Sequence, residues 1–411
     1  MKYLISKSDK TLKGSIVLPG SKSVANRALI IHALSYSPYE NENLSDSDDV
    51  RVMNEVINSN SNVFDIGHAG TAMRFLTAFL AQIMGEWTIT GSERMKQRPI
   101  GILVDALNKL GARIEYLEND GFPPLKIVGS HLTGCILELD GSVSSQYISA
   151  LLMIAPTIEG GLTLRLKNKI TSRPYIDMTL KLMEQFGVKS VWKGNEIRIA
   201  EQTYKARPFS VEADWSGASY WYQMAVMADE LDLELIGLTT ESLQGDAQIA
   251  LWFEQLGIDT VATEKGSKLV KNGKALPKKL SLNFIENPDV AQTFAVLCVM
   301  KQIPFHFTGL ETLKIKETNR IAALQDELAK FGARIAEPAH GELSWDGTFP
   351  LEKQAIPEIE TYHDHRMALA FAPACQEHGS VAIIDPMVIT KSYPGYWADL
   401  KSVGFEVKDV V

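Results

Sequence analysis

Apolar positions along the chain recur at helical spacing in one arrangement: an amphipathic stretch, a large apolar residue, a Gly, and then a short run rich in β-branched and aromatic residues. Five copies stand out: ALNKLGARIEYL around Gly111, LMEQFGVKSVW around Gly187, WFEQLGIDTVA around Gly257, ELAKFGARIAE around Gly332 and DLKSVGFEVKD around Gly404. Each Gly suits the left-handed backbone position that stops a helix, because it has no Cβ to clash there. The residues after it predict a strand returning to a sheet. The copies follow one another at intervals of roughly 70 to 76 residues, so the repeating unit is about one helix pair with its sheet. A sixth copy is expected near residue 36, where the nearest helix candidate, DDVRVMNEVINSNSN, ends in polar residues near Asn62 and runs almost directly into DIGHAGTAMRF. A first copy that has lost its strand pair follows, leaving six related α/β units grouped three and three.

A chain of 411 residues exceeds the size at which one core keeps growing, so two domains are expected. The crossings fall at LPGSKS near Gly20 and VEADWSG near Asp214. They predict one domain of residues 1–20 with 213–411, which takes in the first strand, and a second of residues 21–212, with a hinged cleft suited to closing on substrates. With 45% hydrophobic and 22% charged residues and no low-complexity tract, the whole chain should fold. The start, MKYLISKSDKTLKG, lacks a secretory pattern, and runs such as ALLMIAPTI fall short of the roughly 20 residues of a membrane span, which predicts a cytoplasmic protein. Cys135, Cys298 and Cys375 have neither disulfide-framework nor zinc spacing and read as buried free thiols. A formal charge of −9 argues against nucleic-acid or membrane partners, so any basic chemistry has to be local.

Local basic chemistry is what the motifs offer. LPGSKSVANRALIIHAL sets Gly20, Ser21, Lys22 and Ser23 before a helix carrying Arg27, an anion site if the backbone amides are free and a simple helix cap otherwise; the spacing is not that of a P-loop. GHAGTAMRF repeats the theme, with Gly70 allowing close approach of a ligand or merely making a turn capped by Thr71. In MKQRPIGILVDAL, Arg98 stands before Pro99, which suits the first turn of the helix ending at Gly111. GSVSSQYISALLMIAP brings Ser142, Ser144, Ser145 and Gln146, more hydrogen-bonding groups than capping requires, and SRPYIDMTL adds Ser172 and Tyr175.

In the second half, NPDVAQTFAVLCVM places Asp289 at the head of an apolar helix, LKIKETNRIAALQDEL gathers Lys314, Lys316 and Arg320 around Glu317, and DPMVITKSYPGYW offers Lys391. TYHDHRMALAFAPA opens an apolar helix with His363, Asp364, His365 and Arg366. A cation there opposes the helix dipole and makes sense chiefly against an anion. The histidines lack metal-ligand spacing, no GxSxG elbow is present, and Asp46-Ser47-Asp48-Asp49 reads as a helix cap and not a calcium loop.

Taken in order, PGSKSVANRA, AGTAMR, MKQRPI, DGSVSSQ, SRPYID, NPDVAQ, KIKETNR, DHRMA and TKSYPGYW resemble the motif series of the 5-enolpyruvylshikimate-3-phosphate synthases over nearly the entire chain. The resemblance implies an α/β (α+β) fold, a two-domain inside-out α/β barrel with three βαβαββ-type repeats per domain. It implies phosphoenolpyruvate contacts at Lys22, Gly70, Arg98, Gln146, Arg320, Arg366 and Lys391. For shikimate 3-phosphate it implies Lys22, Ser23, Arg27, Ser144, Ser145, Gln146, Ser172, Tyr175, Asp289, Thr312 and Lys316. Asp289 is implied as the base for the shikimate 5-hydroxyl, Glu317 with Lys22 as the group serving proton transfer at the enol methylene, and His365 as a further catalytic residue. No metal or organic cofactor is implied, the enzyme is expected to be a monomer acting on small molecules, and the phosphoenolpyruvate site is the target of glyphosate in the family.

Four positions depart from the family pattern: His68 for a usual Asn, Phe75 for a usual Pro, Thr312 for another polar residue and Arg173 for a frequent Lys. None removes a charge, but Phe75 is expected to shift the helix behind Gly70. Each substrate carries a phosphate and a carboxylate, so four anionic groups need cations to hold them together. Surrounded by those cations, Asp289 and Glu317 are expected to be ionised before substrate arrives. Two rivals remain: the sister transferase acting on UDP-N-acetylglucosamine, which has Lys-Asn where this chain has Lys22-Ser23, and a non-catalytic anion-binding relative, which would lose Asp289, Glu317 or a cation.

Overall fold

Helix stops and strand returns set the architecture of this computed structural model, which describes residues 1–142 and 144–410. All five predicted glycines adopt positive φ, from +84° at Gly187 to +101° at Gly111. At Gly111 the backbone N–H donates to Asn108 (3.0 Å) and that of Ala112 to Leu107 (3.0 Å), and the same pair of bonds closes the helices before Gly187, Gly332 and Gly404. These bonds satisfy carbonyls that a helix end otherwise leaves without partners. Strands follow at Arg113–Tyr116, Ser190–Lys193, Ile258–Ala262 and Glu406–Val410. After Gly332 the expectation fails: only Ala336 pairs, in a single bridge with Ser344. Pro338, which cannot donate to a ladder, follows immediately, and Glu337 turns back to accept the Gly341 N–H at 3.1 Å.

Two units form: Met1–Pro19 with Glu212–Val411, and Gly20–Val211. Among the described residues the strands make six open sheets, and no closed barrel. Among the described residues the first unit has two four-stranded sheets, which run Ile258–Ala262, Gly266–Lys271, Glu230–Ile236, Thr11–Val17 and Glu358–Ile359, Ser380–Ile384, Lys2–Ser6, Glu406–Val410. In the second unit, Val63–Asp65 pairs parallel with Glu86–Thr90, and Ile136–Asp140 with Leu162–Lys167, each then extended by an antiparallel hairpin. One parallel pair plus a hairpin, with helices between, is the repeating motif in space. The first copy is indeed reduced: Asn41–Glu42 and Phe209–Ser210 make a two-stranded parallel sheet, and the helix Asp48–Ile57 leads to Val63–Asp65 without a hairpin.

Three helices in each unit are largely apolar and are buried over most of their length. In the first unit these are Trp215–Met227, Ala291–Met300 and His365–Phe371, with Ala291–Met300 packed on both others. In the second they are Lys22–Leu34, Gly70–Leu80 and Ser145–Ile154, which pack on one another. The motifs of Lys22, Gly70, Ser144 and Ser145, Asp289, and His365 and Arg366 stand at or just before those N-termini, while Arg27 and Arg74 are buried within the helix bodies.

Two local expectations need correction. Arg98 and Pro99 precede the helix Gly101–Lys109 and do not form its first turn, because the Ile100 and Gly101 N–H groups both donate to the Gly121 carbonyl (2.9 and 3.1 Å) and the Arg98 N–H closes a turn on Met95. Cys298 and Cys375 are buried, but Cys135 is exposed, since it leads into a strand whose first residue, Ile136, also faces solvent. No helix among the described residues is long and apolar enough to cross a membrane.

Candidate active site

Arg320 organises the polar centre of the first unit. It opens the helix Arg320–Ala329, is 1% exposed, and spends its guanidinium on three carboxylates. Nε donates to Asp364 Oδ2 (2.6 Å), Nη1 to Asp289 Oδ1 (2.9 Å) and Nη2 to Glu317 Oε2 (2.9 Å). Arg366 Nη2 reaches Asp289 Oδ2 at 3.3 Å and its Nη1 the Tyr220 hydroxyl at 3.5 Å, while Lys391 donates to Glu317 Oε1 at 2.7 Å and Lys316 lies 3.4 Å from Asp289 Oδ1. Four cations thus face three carboxylates, leaving the cluster net positive. Burial pushes the Asp289 carboxyl upward, but the charges of Lys316, Arg366 and Arg320 outweigh it and hold the group well below the usual carboxylate range.

The local sequence explains the placement. Asp364 caps the helix His365–Phe371 by accepting the Arg366 N–H at 2.9 Å, after Tyr362 and His363 adopt left-handed φ of 53° and 55°. Such backbone costs on the order of 1–3 kcal/mol per residue and persists where the surroundings over-determine it. Arg366 at this helix start has its anion, the Asp289 carboxylate. Lys314 does not join the group around Glu317: the turn Glu311–Ile315 sends it to Glu337 (2.7 Å), and Glu317 is held by Arg320 and Lys391. His365 is buried with Nδ1 3.7 Å from Asp364 Oδ1, His363 is exposed, and the Thr312 hydroxyl is buried without a hydrogen-bond partner among the described residues.

In the second unit, Lys22 starts the helix Lys22–Leu34 and lies 3.5 Å from the buried Asp49 carboxylate in the first turn of Asp48–Ile57. Arg27 is 2% exposed and, among the described residues, bonded only to neutral oxygens: Thr179 (2.7 Å), Ser149 (3.1 Å) and the carbonyls of Ser23 (2.8 Å) and Tyr175 (3.4 Å). Burial lowers its pKa to about 10. Its guanidinium also sits 5.2 Å from the Phe75 ring centroid, and the helix Gly70–Leu80 runs unbroken through Phe75.

The Arg98 guanidinium lies on the Gly70 backbone, so close that a Cβ on Gly70 would stand 2.6 Å from Nη1. Gln146 Nε2 donates to the Thr71 hydroxyl at 3.2 Å, Ser144 caps the helix Ser145–Ile154, and the buried Ser172 precedes Arg173–Gln185 in a left-handed conformation. His68 is exposed and bonded to Ser92 (2.8 Å), and Arg173 covers the Trp192 ring.

Several positioning groups carry no role from the sequence: Ser149, Thr179, Tyr220, Asp49, which reads there only as part of a helix cap, and Arg74 of AGTAMR, which donates to the carbonyls of Gly70 and Pro99 (both 3.0 Å) and so ties the Gly70 helix to the Arg98 loop. Asp364 was visible only as a polar residue at a helix start. Among the described residues no group of three His, Cys, Asp or Glu side chains converges for a metal ion.

The family model for EPSP synthase (3-phosphoshikimate 1-carboxyvinyltransferase) matches residues 6–60 and 56–400. A 3-phosphoshikimate 1-carboxyvinyltransferase of Bacteroides fragilis is 52% identical over 409 residues, 99% of each chain, and one of Photobacterium profundum is 37% identical over 95% of this chain and 96% of its own. A solved structure of EPSP synthase from Acinetobacter baumannii shares the fold with a TM-score of 0.79 at 20% identity, covering 99% of this chain and 100% of that one.

Proposed function

This chain belongs to the EPSP synthase family, and on that premise we propose that it transfers the enolpyruvyl group of phosphoenolpyruvate to the 5-hydroxyl of shikimate 3-phosphate with release of phosphate. The observation that carries the reading is the Arg320 cluster, in which Asp289 is held ionised at the head of a buried helix by three cations, Lys316, Arg320 and Arg366. An ionised carboxylate there is ready to take the proton of the 5-hydroxyl. The hydroxyl oxygen then bonds to C2 of the enol as C3 gains a proton, giving a tetrahedral ketal phosphate. Loss of phosphate and of a C3 proton restores the enol ether.

Glu317, with Lys22, serves the C3 proton. Glu317 begins as the partner of Arg320 and Lys391, and anionic substrate arriving at those cations loosens its hold on them and favours its protonation. Arg320, Arg366 and Lys391 offset the charge of phosphoenolpyruvate, as do Lys22, Gly70, Arg98 and Gln146. His365 belongs to the catalytic set beside Asp364. Shikimate 3-phosphate is assigned to Lys22, Ser23, Arg27, Ser144, Ser145, Gln146, Ser172, Tyr175, Asp289, Thr312 and Lys316. Arg27, surrounded by neutral acceptors, is suited to supply charge to an anion. A cytoplasmic monomer without nucleic-acid or membrane partners completes the proposal.

Phosphate release from the purified protein with both substrates tests it. Release should require shikimate 3-phosphate; release with UDP-N-acetylglucosamine in its place would assign the chain to the sister reaction.

A further inference from the structure

Asp246 is 4% exposed in the turn Gly245–Gln248 and is not among the residues assigned to either substrate. Its two oxygens take separate donors: Oδ1 accepts Asn287 Nδ2 at 3.1 Å, and Oδ2 accepts the Ser216 hydroxyl. Ser216 lies in the first turn of Trp215–Met227, the helix that also carries Tyr220. Asn287 is the residue from which the turn Pro288–Val290 departs, and that turn carries Asp289. The neighbouring Gln244 anchors the Asp246 turn to the same helix start, accepting the Trp215 N–H (3.0 Å) and donating to the Ala213 carbonyl (2.7 Å). The Asp246 carboxylate is therefore a strut between an anchored helix N-terminus and the loop bearing the base.

Keeping an acid there is costly. Burial pushes its pKa up, and so does the charge of Asp289, against the Ser216 and Asn287 hydrogen bonds and the Arg366 charge. A group retained at such cost does something that an apolar side chain cannot, and what it does here is grip the Asn287 amide.

Resting on the reaction assigned above, we propose that Asp246 is a positioning residue for it: by holding Asn287 it fixes the turn that sets the Asp289 carboxylate against Arg320 and Arg366. Removal of the strut lets the base drift. A misplacement of about 1 Å at a reacting group lowers turnover on the order of 100-fold.

The test combines kinetics per folded molecule with crystallography on Asp246→Ala, Asn287→Ala, the double variant and Asp246→Asn. Asp246→Ala and Asn287→Ala should each lower kcat by about 10- to 100-fold while the KM for phosphoenolpyruvate moves less than about threefold. The double variant should be no slower than the slower single one, because both remove the same bond. Asp246→Asn should recover to within about fivefold of wild type, since its amide oxygen still accepts from Asn287 and its amide nitrogen meets the Ser216 oxygen. If Asp246→Ala does not fold, Asn287→Ala carries the same expectation.

A crystal structure of either alanine variant should show the 288–290 turn displaced and Asp289 off Arg320 and Arg366. Wild-type kcat per folded molecule, multiplying effects in the double variant, or an unmoved turn would overturn the inference. A wild-type protein releasing no phosphate would refute the proposed reaction instead, and the crystallographic comparison would still decide on the turn.

Discussion

Arg320, Asp364 and Asp289 form a chain of dependence at the scale of single residues. Asp364 is fully buried and holds the Arg320 guanidinium by two bonds, from Nε and Nη2, which aims Nη1 at Asp289 and lets Nη2 also reach Glu317. Asp364→Ala leaves a buried guanidinium without its main counter-charge, so thermal or urea unfolding should show a loss of about 3–5 kcal/mol. Asp289→Asn should cut turnover by orders of magnitude with the fold intact, read from kcat beside a circular dichroism spectrum. Its pH signature has a definite sign. The folded pKa of Asp289 lies below the ordinary 3.8, so the ionised form contributes stability that is fully present above 3.8 and is lost as pH falls through the folded value. The stability gap between wild type and Asp289→Asn, followed by tryptophan fluorescence, should be constant down to pH 3.8 and close only below it.

Helix ends are the elements on which both stability and chemistry turn. Gly111 has φ of +101°, and a Cβ placed there would meet nothing nearer than 3.4 Å, so Gly111→Ala costs only backbone strain, about 1–2 kcal/mol by urea titration, with kcat unchanged. Gly70 presents the opposite case. Its own φ is ordinary, but an Ala Cβ would press on the far end of the Arg98 side chain, which can swing away. Gly70→Ala should therefore keep the melting temperature within a few degrees while raising the KM for phosphoenolpyruvate at least several-fold, measured in the phosphate-release assay. The same local logic made these elements legible. Schellman-type stops and apolar periodicity are written within a few residues, and the one failed strand, after Gly332, was cut short by a Pro six residues on whose effect lies in the next strand pairing.

For the whole molecule, the residues at the start of the chain are structural members of the larger unit. Lys2–Ser6 is an inner strand between Ser380–Ile384 and Glu406–Val410, and Thr11–Val17 pairs along its length with Glu230–Ile236. Deleting residues 1–19 should leave two sheets with open edges and give an aggregating protein without a cooperative melt; a cooperative melt in the truncated protein would contradict this role. The sequence by itself determined the six-fold repetition, the helix stops and the kinds of residue at the heads of buried helices, because each is encoded by neighbours within a turn or two. Tertiary structure alone decided which charge meets which. Lys314 turned to Glu337 instead of Glu317, Lys391 reached Glu317 across 74 residues, and Asp246 found Asn287 across 41. No local periodicity links one partner of these pairs to the other, and only the packing of the sheets and helices brings the side chains within hydrogen-bond reach.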